Sequence, residues 1–456
     1  MLKHLIFTVA IGFVSSQTVY AQALAAGSKQ QTLIDIYQLA KANDPTLASA
    51  SSANQAAQEI IEQGKALYRP SVNFSAGASA SQTNIKYTGI GFNAFNTQGR
   101  QTFEGYSYGV QAVQPIYRKQ NLVQMDQSKM QVSIADKQYH LAQQSLILRT
   151  TQVYFDELLA QDKLALIGAQ KSAILSQLDQ AKANFDVGTA TITDVNEAQA
   201  RYDLIIAQEV AVQNEIEIAQ RAIQALTNEM PQQLVTVKPD IKVQPLDKPM
   251  QDWQQAAAQN NLNIQIQQDT AKLAEQDIEK AKAGHLPTLD AVASYGSNYS
   301  NGGTSGVGND LQNATIGLQL QIPLYQGGAT SSLARQAVLN KQKALDDLEI
   351  VRRQTDLETQ RAYFNLNTSI AQIKAFEQAL ISSQSQVDSS KLGYEVGVRT
   401  SVDVLNAQQQ FYSAKRDLLQ ARYAYLVNII RLKTASGLIA ESDLDDINQQ
   451  LITNDK

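Results

Sequence analysis

The stretch Val187-Gly188-Thr189-Ala190-Thr191-Ile192-Thr193-Asp194-Val195 recurs 209 residues later as Val396-Gly397-Val398-Arg399-Thr400-Ser401-Val402-Asp403-Val404. Each copy places a Val-Gly pair ahead of an Asp-Val pair, between two segments of helical periodicity. Glycine takes positive φ without a steric penalty, so Gly188 and Gly397 predict tight turns between helices. The sequence therefore predicts two similar helical hairpins.

Other matches follow in the same order at nearly the same spacing, which indicates an internal duplication. Pro115-Ile116-Tyr117 returns as Pro323-Leu324-Tyr325, and Tyr154-Phe155 returns as Tyr363-Phe364. Chance similarity between Ala- and Gln-rich helices is the alternative, but it does not account for matching prolines and glycines. Each unit is predicted to hold a helical segment, a pair of strands and two long helices.

The predicted segments follow from this duplication. They are a signal peptide (1–21), a first repeat (22–230), a linker (231–250), a second repeat (251–436) and a C-terminal tail (437–456). Within the repeats, strand hairpins are predicted at about 71–115 and 288–323, and long helices at 118–187, 190–230, 328–395 and 399–436. Shorter helical stretches, about 46–67 and 251–283, precede the hairpins, and the acidic tail is expected to be irregular.

The strand hairpins alternate with a period of two between apolar residues and small or polar ones. The apolar set in the last strand is Ala314, Ile316, Leu318, Leu320 and Ile322. A sheet half-buried on a soluble core would show this pattern, and so would membrane strands around a wet lumen. Four strands cannot close a barrel and an open edge cannot face lipid, so a membrane barrel would need two, three or four copies of the chain.

The helical segments are unusually long. No proline occurs in the 115 residues between Pro115 and Pro231, or in the 133 residues after Pro323. A helix of about 70 residues would measure about 100 Å. A heptad pattern of large and small residues predicts a coiled-coil seam in the last long helix and in its counterpart. The positions in these helices are Val404, Phe411, Leu418, Tyr425 and Leu432, with Ala407, Ala414, Ala421, Asn428 and Ala435, and Ala198, Ile205, Val212, Ala219 and Leu226 in the first repeat.

Composition excludes several classes of function. The formal charge of −5 offers no basic field for nucleic acid, and the absence of cysteine excludes disulfides and thiolate sites. The three histidines, His4, His140 and His285, are too far apart in sequence for a metal motif, and no Ser/His/Asp set stands out. We therefore expect no enzyme activity, no cofactor and no metal. Lys3 and the apolar run after it, closing at Ala21, are typical of a secretory signal.

The order of strand pairs and long helices, the duplication and the two turn motifs together resemble the TolC family of outer-membrane channels. The second motif extends here from Tyr394 to Ala407, and the likeness covers essentially all of the mature sequence. The resemblance implies a mixed fold, a membrane β-barrel joined to an α-helical coiled-coil barrel. It implies a homotrimer that pools four strands per chain into a 12-stranded barrel, with a helical tunnel crossing the periplasm.

The same resemblance implies partners and a role. Segment 231–250 and the tail would form an equatorial girdle, and the barrel would contact outer-membrane lipid. The channel would dock to a periplasmic adaptor protein and an inner-membrane transporter, as the exit duct of a tripartite efflux pump or a type I secretion system. A soluble periplasmic coiled-coil adaptor or structural protein is the alternative, since it would use the same helices.

In this family, helical hairpins bent inward close the periplasmic end through polar links near the turns. The resemblance implies that Tyr394 hydrogen-bonds Asp194, and that Arg399 reaches Thr193 and Asp194. The alternative is that the acidic residues only cap helices, because aspartate is favoured near a helix N-terminus in any protein.

The resemblance also implies a constriction at the narrow end. Asp403 would form a threefold acidic ring there. Better-known members carry a second ring carboxylate one turn further on, where this chain has Asn406, so the sequence does not support a double acidic ring. Like charges in such a ring repel one another and attract cations.

Overall fold

The computed structural model describes residues 30–86, 99–238, 241–303 and 307–451. The predicted signal peptide lies outside the described residues. In chain order the elements are α1 (Leu33–Asn43), α2 (Pro45–Ala66), β1 (Ser71–Ile85), β2 (Gly99–Tyr117), α3 (Lys119–Asp186), α4 (Ile192–Thr227), α5 (Met250–Asn260), α6 (Leu262–Lys282), β3 (Thr288–Ser300), β4 (Asn309–Gln321), α7 (Ala329–Glu395), α8 (Ser401–Ala435) and α9 (Ser442–Asn448).

Two helices dominate the molecule. The helices α3 and α7 contain 68 and 67 residues, which corresponds to about 100 Å each. Each ends at a turn whose glycine has positive φ, 79° at Gly188 and 78° at Gly397. After these turns α4 packs back on α3 and α8 on α7. Among the described residues, no helix combines the length and the apolar character that a membrane span requires.

The predicted seams of α4 and α8 are largely buried. All five seam residues of α4 are buried, among them Ala198 and Ile205. In α8 the same holds for most of the seam, including Val404 and Leu418. The small residues let the paired helices approach closely, while the large ones fill the space between them. The heptad pattern therefore identified the faces that hold each hairpin together.

The four strands form one antiparallel sheet in the order β1-β2-β3-β4. Val110 of β2 pairs with Phe74 on one side and with Tyr295 on the other, and Ile316 of β4 pairs with Ala293. The alternating apolar residues of the four strands therefore share one face of the sheet. This face is open in the single chain, where Ile316 is 88% exposed.

An arginine–aspartate pair joins the sheet to the start of α3 and connects the first repeat to the second. The guanidinium of Arg118, which immediately precedes α3, donates from Nε to Oδ1 of Asp290 at 2.8 Å and from a terminal nitrogen to Oδ2 at 2.5 Å. Asp290 lies in β3 and is nearly buried. A two-bonded arginine–carboxylate pair fixes orientation as well as distance. It therefore sets the direction in which α3 leaves the sheet.

The main apolar core lies around the middle of the long helices. It contains residues of α1, α3, α4, α7, α8 and α9 and of the segment between the repeats. Tyr154 of α3 is fully buried in it, and its hydroxyl donates to the carbonyl of Val235 at 2.8 Å. Leu451 pairs with Val237 in an isolated bridge. The inter-repeat segment and the C-terminal segment thus pack side by side against the mid-length of the long helices.

The structure contains one helix that was not predicted, and two local predictions were wrong. Residues 33–43 form a helix, α1, that was not predicted, although Thr32 and Asp35 make a capping box at its start. The stretch 251–283 is broken at Asn261, whose side chain caps α6. The tail is not irregular throughout, because α9 covers Ser442–Asn448 and buries Leu444 and Ile447 against the core.

A buried ion pair ties the start of α2 to α3. The carboxylate of Asp44 accepts a hydrogen bond from the Leu47 amide at 3.0 Å and one from a terminal nitrogen of Arg149 at 2.6 Å. Asp44 is only 3% exposed. Burial opposes its charge, but the hydrogen bonds from Arg149 and Leu47 outweigh burial and hold the pKa of the Asp44 carboxyl below its usual range.

Replacing Asp44 with alanine is expected to lower the free energy of unfolding by about 2–4 kcal/mol, because a helix cap is lost and the charge of Arg149 is left without its partner.

The substitution Asp44→Asn keeps the cap and removes only the charge. A carboxyl with a lowered folded-state pKa stabilises the fold above its unfolded pKa and stops doing so in acid. The difference in thermal midpoint between wild type and Asp44→Asn should thus be largest near pH 7, begin to shrink at about pH 4, and disappear as the pH falls through the folded-state pKa of Asp44.

The control is Asp126→Asn, which removes an exposed ion pair with Lys129 inside α3. Exposed pairs of this kind contribute about 0–1 kcal/mol, so its midpoint should stay near that of wild type. A difference between wild type and Asp44→Asn that stays constant from pH 7 to pH 3 would contradict this account of the pair.

Candidate functional site: the turn end of the long helices

The aspartate predicted at the gate, Asp194, and the one predicted at the constriction, Asp403, lie in the first turns of the helices that follow the two hairpin turns. The Asp194 carboxylate accepts from the Thr191 amide at 3.0 Å, and the Asp194 amide donates to the Thr191 hydroxyl at 3.3 Å. Asp403 and Thr400 repeat this capping box at 2.9 Å and 3.2 Å. Both aspartates therefore act as helix caps within one protomer, which is the alternative role that the sequence left open.

The charge of Asp403 is favoured by its surroundings. Hydrogen bonds from the amide and hydroxyl of Thr400, with a smaller contribution from the nearby Arg399 guanidinium, hold the pKa of the Asp403 carboxyl below its usual range. The guanidinium of Arg399 lies 3.9 Å from this carboxylate. Asp403 is consequently ionised at neutral pH in the single chain.

The hydroxyl of Tyr394 has a different partner from the predicted one. It accepts a hydrogen bond from the side-chain amide of Asn184 at 3.0 Å, while the Asp194 carboxylate is held by Thr191. The predicted bond between Tyr394 and Asp194 is thus not formed within the protomer. Thr193 is exposed in the first turn of α4, and Arg399 lies beside Asp403 of its own helix instead of reaching Thr193 or Asp194.

Other contacts between the two helical hairpins lie close by. Gln177 of α3 donates to the Ser401 hydroxyl of α8 at 3.3 Å. A small apolar cluster joins Leu178 of α3, Ala198 of α4 and Leu405 of α8. The hairpin of the first repeat and the hairpin of the second are therefore connected near their turns by one polar contact and one apolar cluster, in addition to the bond between Asn184 and Tyr394.

Arg201 makes a further connection that the sequence did not indicate. From α4 its guanidinium donates to Oδ1 of Asn406 on α8 at 2.8 Å and also to the side chain of Gln409. Its remaining contact is the Glu197 carboxylate of its own helix, at 2.9 Å. The predicted constriction residue Asn406 is thus held by an arginine that lies 205 positions away in sequence.

The turns themselves carry exposed apolar side chains. Val187, Val396 and Val398 are 73%, 65% and 76% exposed. Among the residues that the structure describes, no group of three or more His, Asp or Glu side chains is placed to hold a metal ion. The arrangement at this end thus consists of polar links, two acidic caps and apolar tips.

A match to a known protein family shows to which class of proteins the chain belongs. The model of the family "Outer membrane efflux protein" matches residues 36–229 and 253–438, which are the two repeats. The chain belongs to this family. As an outer membrane efflux protein it is located in the outer membrane, where it forms an exit duct, and the family consists of channel and transport proteins.

Individual relatives agree with the family assignment. This outer membrane efflux protein is 33% identical over 455 residues to outer membrane protein TolC of Vibrio cholerae, covering 99% of this chain and 98% of that protein. It is 28% identical to proteases secretion protein PrtF of Dickeya chrysanthemi, covering 92% of each. The crystal structure of outer membrane protein VceC from Vibrio cholerae has the same fold, with a TM-score of 0.71 at 17% identity over 89% of this chain and 96% of that chain.

Proposed function

We propose that three copies of the chain form a closed membrane barrel from their four-stranded sheets, continued by a ring of long helices in the periplasm. The observation that carries this is the sheet itself. Its apolar face is open, with Val72 66% and Ile316 88% exposed, and β1 and β4 are edge strands whose backbone groups need partners. In lipid those groups can be satisfied only by other strands, which a second and a third chain supply.

The long helices would enclose a passive, water-filled duct that carries out no catalysis. At its far end the polar links near the turns would keep the duct nearly closed at rest. Exposed links of this type contribute about 0.2–1 kcal/mol each, which is small enough for a closure that must open. Thr193, Asp194, Tyr394 and Arg399 remain the proposed gate residues. Asp403 and Asn406 remain the proposed constriction.

Opening would require partners on the inner side. A periplasmic adaptor protein and an inner-membrane transporter would engage the turn end, and the cargo would be a drug-like compound or a secreted protein. The name of PrtF refers to secretion of proteases, and the family description refers to efflux. A duct lined by water selects little, so the choice of cargo would rest with the transporter.

The double substitution Tyr394→Phe with Arg399→Ser is expected to raise the resting single-channel conductance at least about twofold, because each of three protomers would lose links worth about 0.2–1 kcal/mol. Phenylalanine cannot accept the hydrogen bond from Asn184, and serine removes the cation beside Asp403. The measurement is single-channel recording in planar bilayers, after light scattering has established three chains per particle for both proteins.

A matched control is Tyr325→Phe with Arg353→Ser, which makes the same chemical changes at positions 87% exposed (Tyr325) and 80% exposed (the Arg353 side chain), away from the turns. This control should conduct like wild type. Equal conductance of the gate variant and wild type would show that closure does not depend on these links, even though the protein is a channel.

The substitution Asp403→Asn is expected to weaken block by a divalent cation about tenfold or more, since a divalent ion interacts with a unit charge 4 Å away by about 2 kcal/mol even in water. Asp417→Asn removes the same charge further along α8, where the carboxylate pairs with the neighbouring Arg416 at 3.0 Å, and should leave block nearly unchanged. Block of wild type should also fade in acid, because protonation removes the charge of Asp403; repulsion among three ring carboxylates favours protonation, and the hydrogen bonds from Thr400 oppose it. Equal weakening in both variants would place the cation site elsewhere.

A further inference from the structure

The guanidinium of Arg201 lies between two helices that come from different repeats. It is hydrogen-bonded to Asn406 at 2.8 Å and to Gln409, both on α8, and ion-paired with Glu197 on α4 at 2.9 Å. Only 23% of its side chain is exposed. Arginine presents several donors in one rigid plane, so a single side chain can hold both helices at a fixed separation.

The partners of Arg201 are related by the duplication. Positions 197 and 406 are 209 residues apart, the same spacing as the two turn motifs, so Glu197 and Asn406 are equivalent positions of the two repeats. Arg201 itself corresponds to Gln410, which has no charge. The arginine therefore breaks the symmetry of the repeats and joins their equivalent positions to each other. The first repeat retains a carboxylate there and the second has an amide, and both offer an oxygen acceptor.

On the side of Arg201 that is further from the turns, α4 and α8 are not continuously packed. A cavity of about 530 Å³ separates them, lined on the α4 side by Ile205 and Val212 and on the α8 side by Gln408 and Tyr412. The side-chain oxygen of Gln408 is buried in the chain with no hydrogen-bond partner. Close packing therefore does little to hold α4 against α8 at this level. Besides the apolar contact of Ala198 with Leu405 nearer the turns, the polar connection made by Arg201 attaches these two helices to each other directly.

We propose that Arg201 is an additional gate-positioning residue, which clamps α8 to α4 through Asn406 and keeps the constriction residues in their resting place. This inference rests on the proposed function, because a clamp near the turns has a measurable effect only in a protein that conducts. Movement of α8 away from α4 breaks the bonds to Asn406 and Gln409 while the ion pair with Glu197 stays intact. The clamp opens without leaving the guanidinium unpaired.

The test is a double-mutant cycle on resting single-channel conductance, with Arg201→Gln, Asn406→Ala and the combination of both. Each single variant is expected to raise conductance, and the combination is expected to exceed neither. Coupling between contacting residues is typically about twofold or more in such a ratio, whereas independent effects multiply. Independent, multiplying effects in the cycle overturn the clamp. Should Arg201→Gln fail to assemble, Asn406→Ala at an exposed position still gives the decisive single effect, and unchanged conductance in it overturns the inference.

The matched control is Arg416→Gln. This arginine lines the same cavity, but its hydrogen bonds run to Ser413 and Asp417 of its own helix. The substitution Arg416→Gln removes the same charge without removing a bridge between helices, so the conductance of this variant should equal that of wild type. Equal changes in Arg416→Gln and Arg201→Gln overturn the clamp in favour of a general charge effect. Absence of current from wild type would refute the proposed duct itself, whereas a conducting wild type with an unchanged Arg201→Gln refutes this inference alone.

Discussion

Replacing Ile316 with arginine is expected to remove most of the protein from the outer membrane. Ile316 lies near the middle of β4 on the apolar face of the sheet and is 88% exposed in the single chain. An arginine facing lipid at the centre of a membrane barrel costs about 2–4 kcal/mol, and a trimer incurs that cost in every chain. The amount of protein in purified outer membranes, compared with total protein, measures the effect.

The neighbouring residue supplies the control. Thr315 faces the opposite side of the same strand, since successive strand residues alternate between faces. Thr315→Arg would place the same charge in the lumen, where water can hydrate it, and should assemble nearly as well as wild type. Equal recovery of both variants from the outer membrane would mean that the apolar face does not contact lipid.

Replacing Gly437 with alanine is expected to destabilise the fold by about 2–5 kcal/mol, through backbone strain and a steric clash together. Gly437 follows α8 and has a φ of 71°, which side chains with a Cβ rarely adopt. A Cβ there would lie 2.6 Å from the carbonyl carbon and oxygen of Asn260, at the junction of α5 and α6. Backbone atoms cannot turn aside as a side chain does, so the thermal midpoint should fall markedly.

Substitution of a second glycine, Gly397, measures the cost of backbone strain without the steric clash. Gly397 has a nearly equal φ of 78°, but a Cβ built there meets no atom within 4 Å. Gly397→Ala should therefore show only the strain, about 1–2 kcal/mol. If both variants lose the same stability in thermal unfolding followed by circular dichroism, the packing of Gly437 against Asn260 contributes nothing and this account of the junction is wrong.

Much of the fold could be predicted because its signals are local. Period-two alternation identified the apolar face that β1 to β4 share, and heptads identified the buried seams of α4 and α8. Pro and Gly marked the places where long helices begin and end. The helix α1 was missed although Thr32 and Asp35 have the spacing of a capping box, because a helix of only 11 residues leaves a weak periodic signal.

The site was less accessible to sequence reasoning. The capping boxes of Asp194 and Asp403 are local, and their Thr-x-x-Asp spacing can be read directly from the sequence. The partners of Tyr394 and Asn406 cannot be read from the sequence. They are Asn184 and Arg201, which lie 210 and 205 positions away, and the packing of the helices determines that they meet. A family motif indicates which residues lie near a turn, but the rotation of each helix decides which of them meet.

The most direct test of the duct is the single-channel conductance of the detergent-purified mature protein in a planar bilayer, with a divalent cation added from one side at a time. We expect a small, cation-selective conductance that the divalent ion blocks from one side only, because the nearly closed acidic end faces one compartment. A protein that does not insert, or a wide conductance blocked equally from both sides, would contradict it.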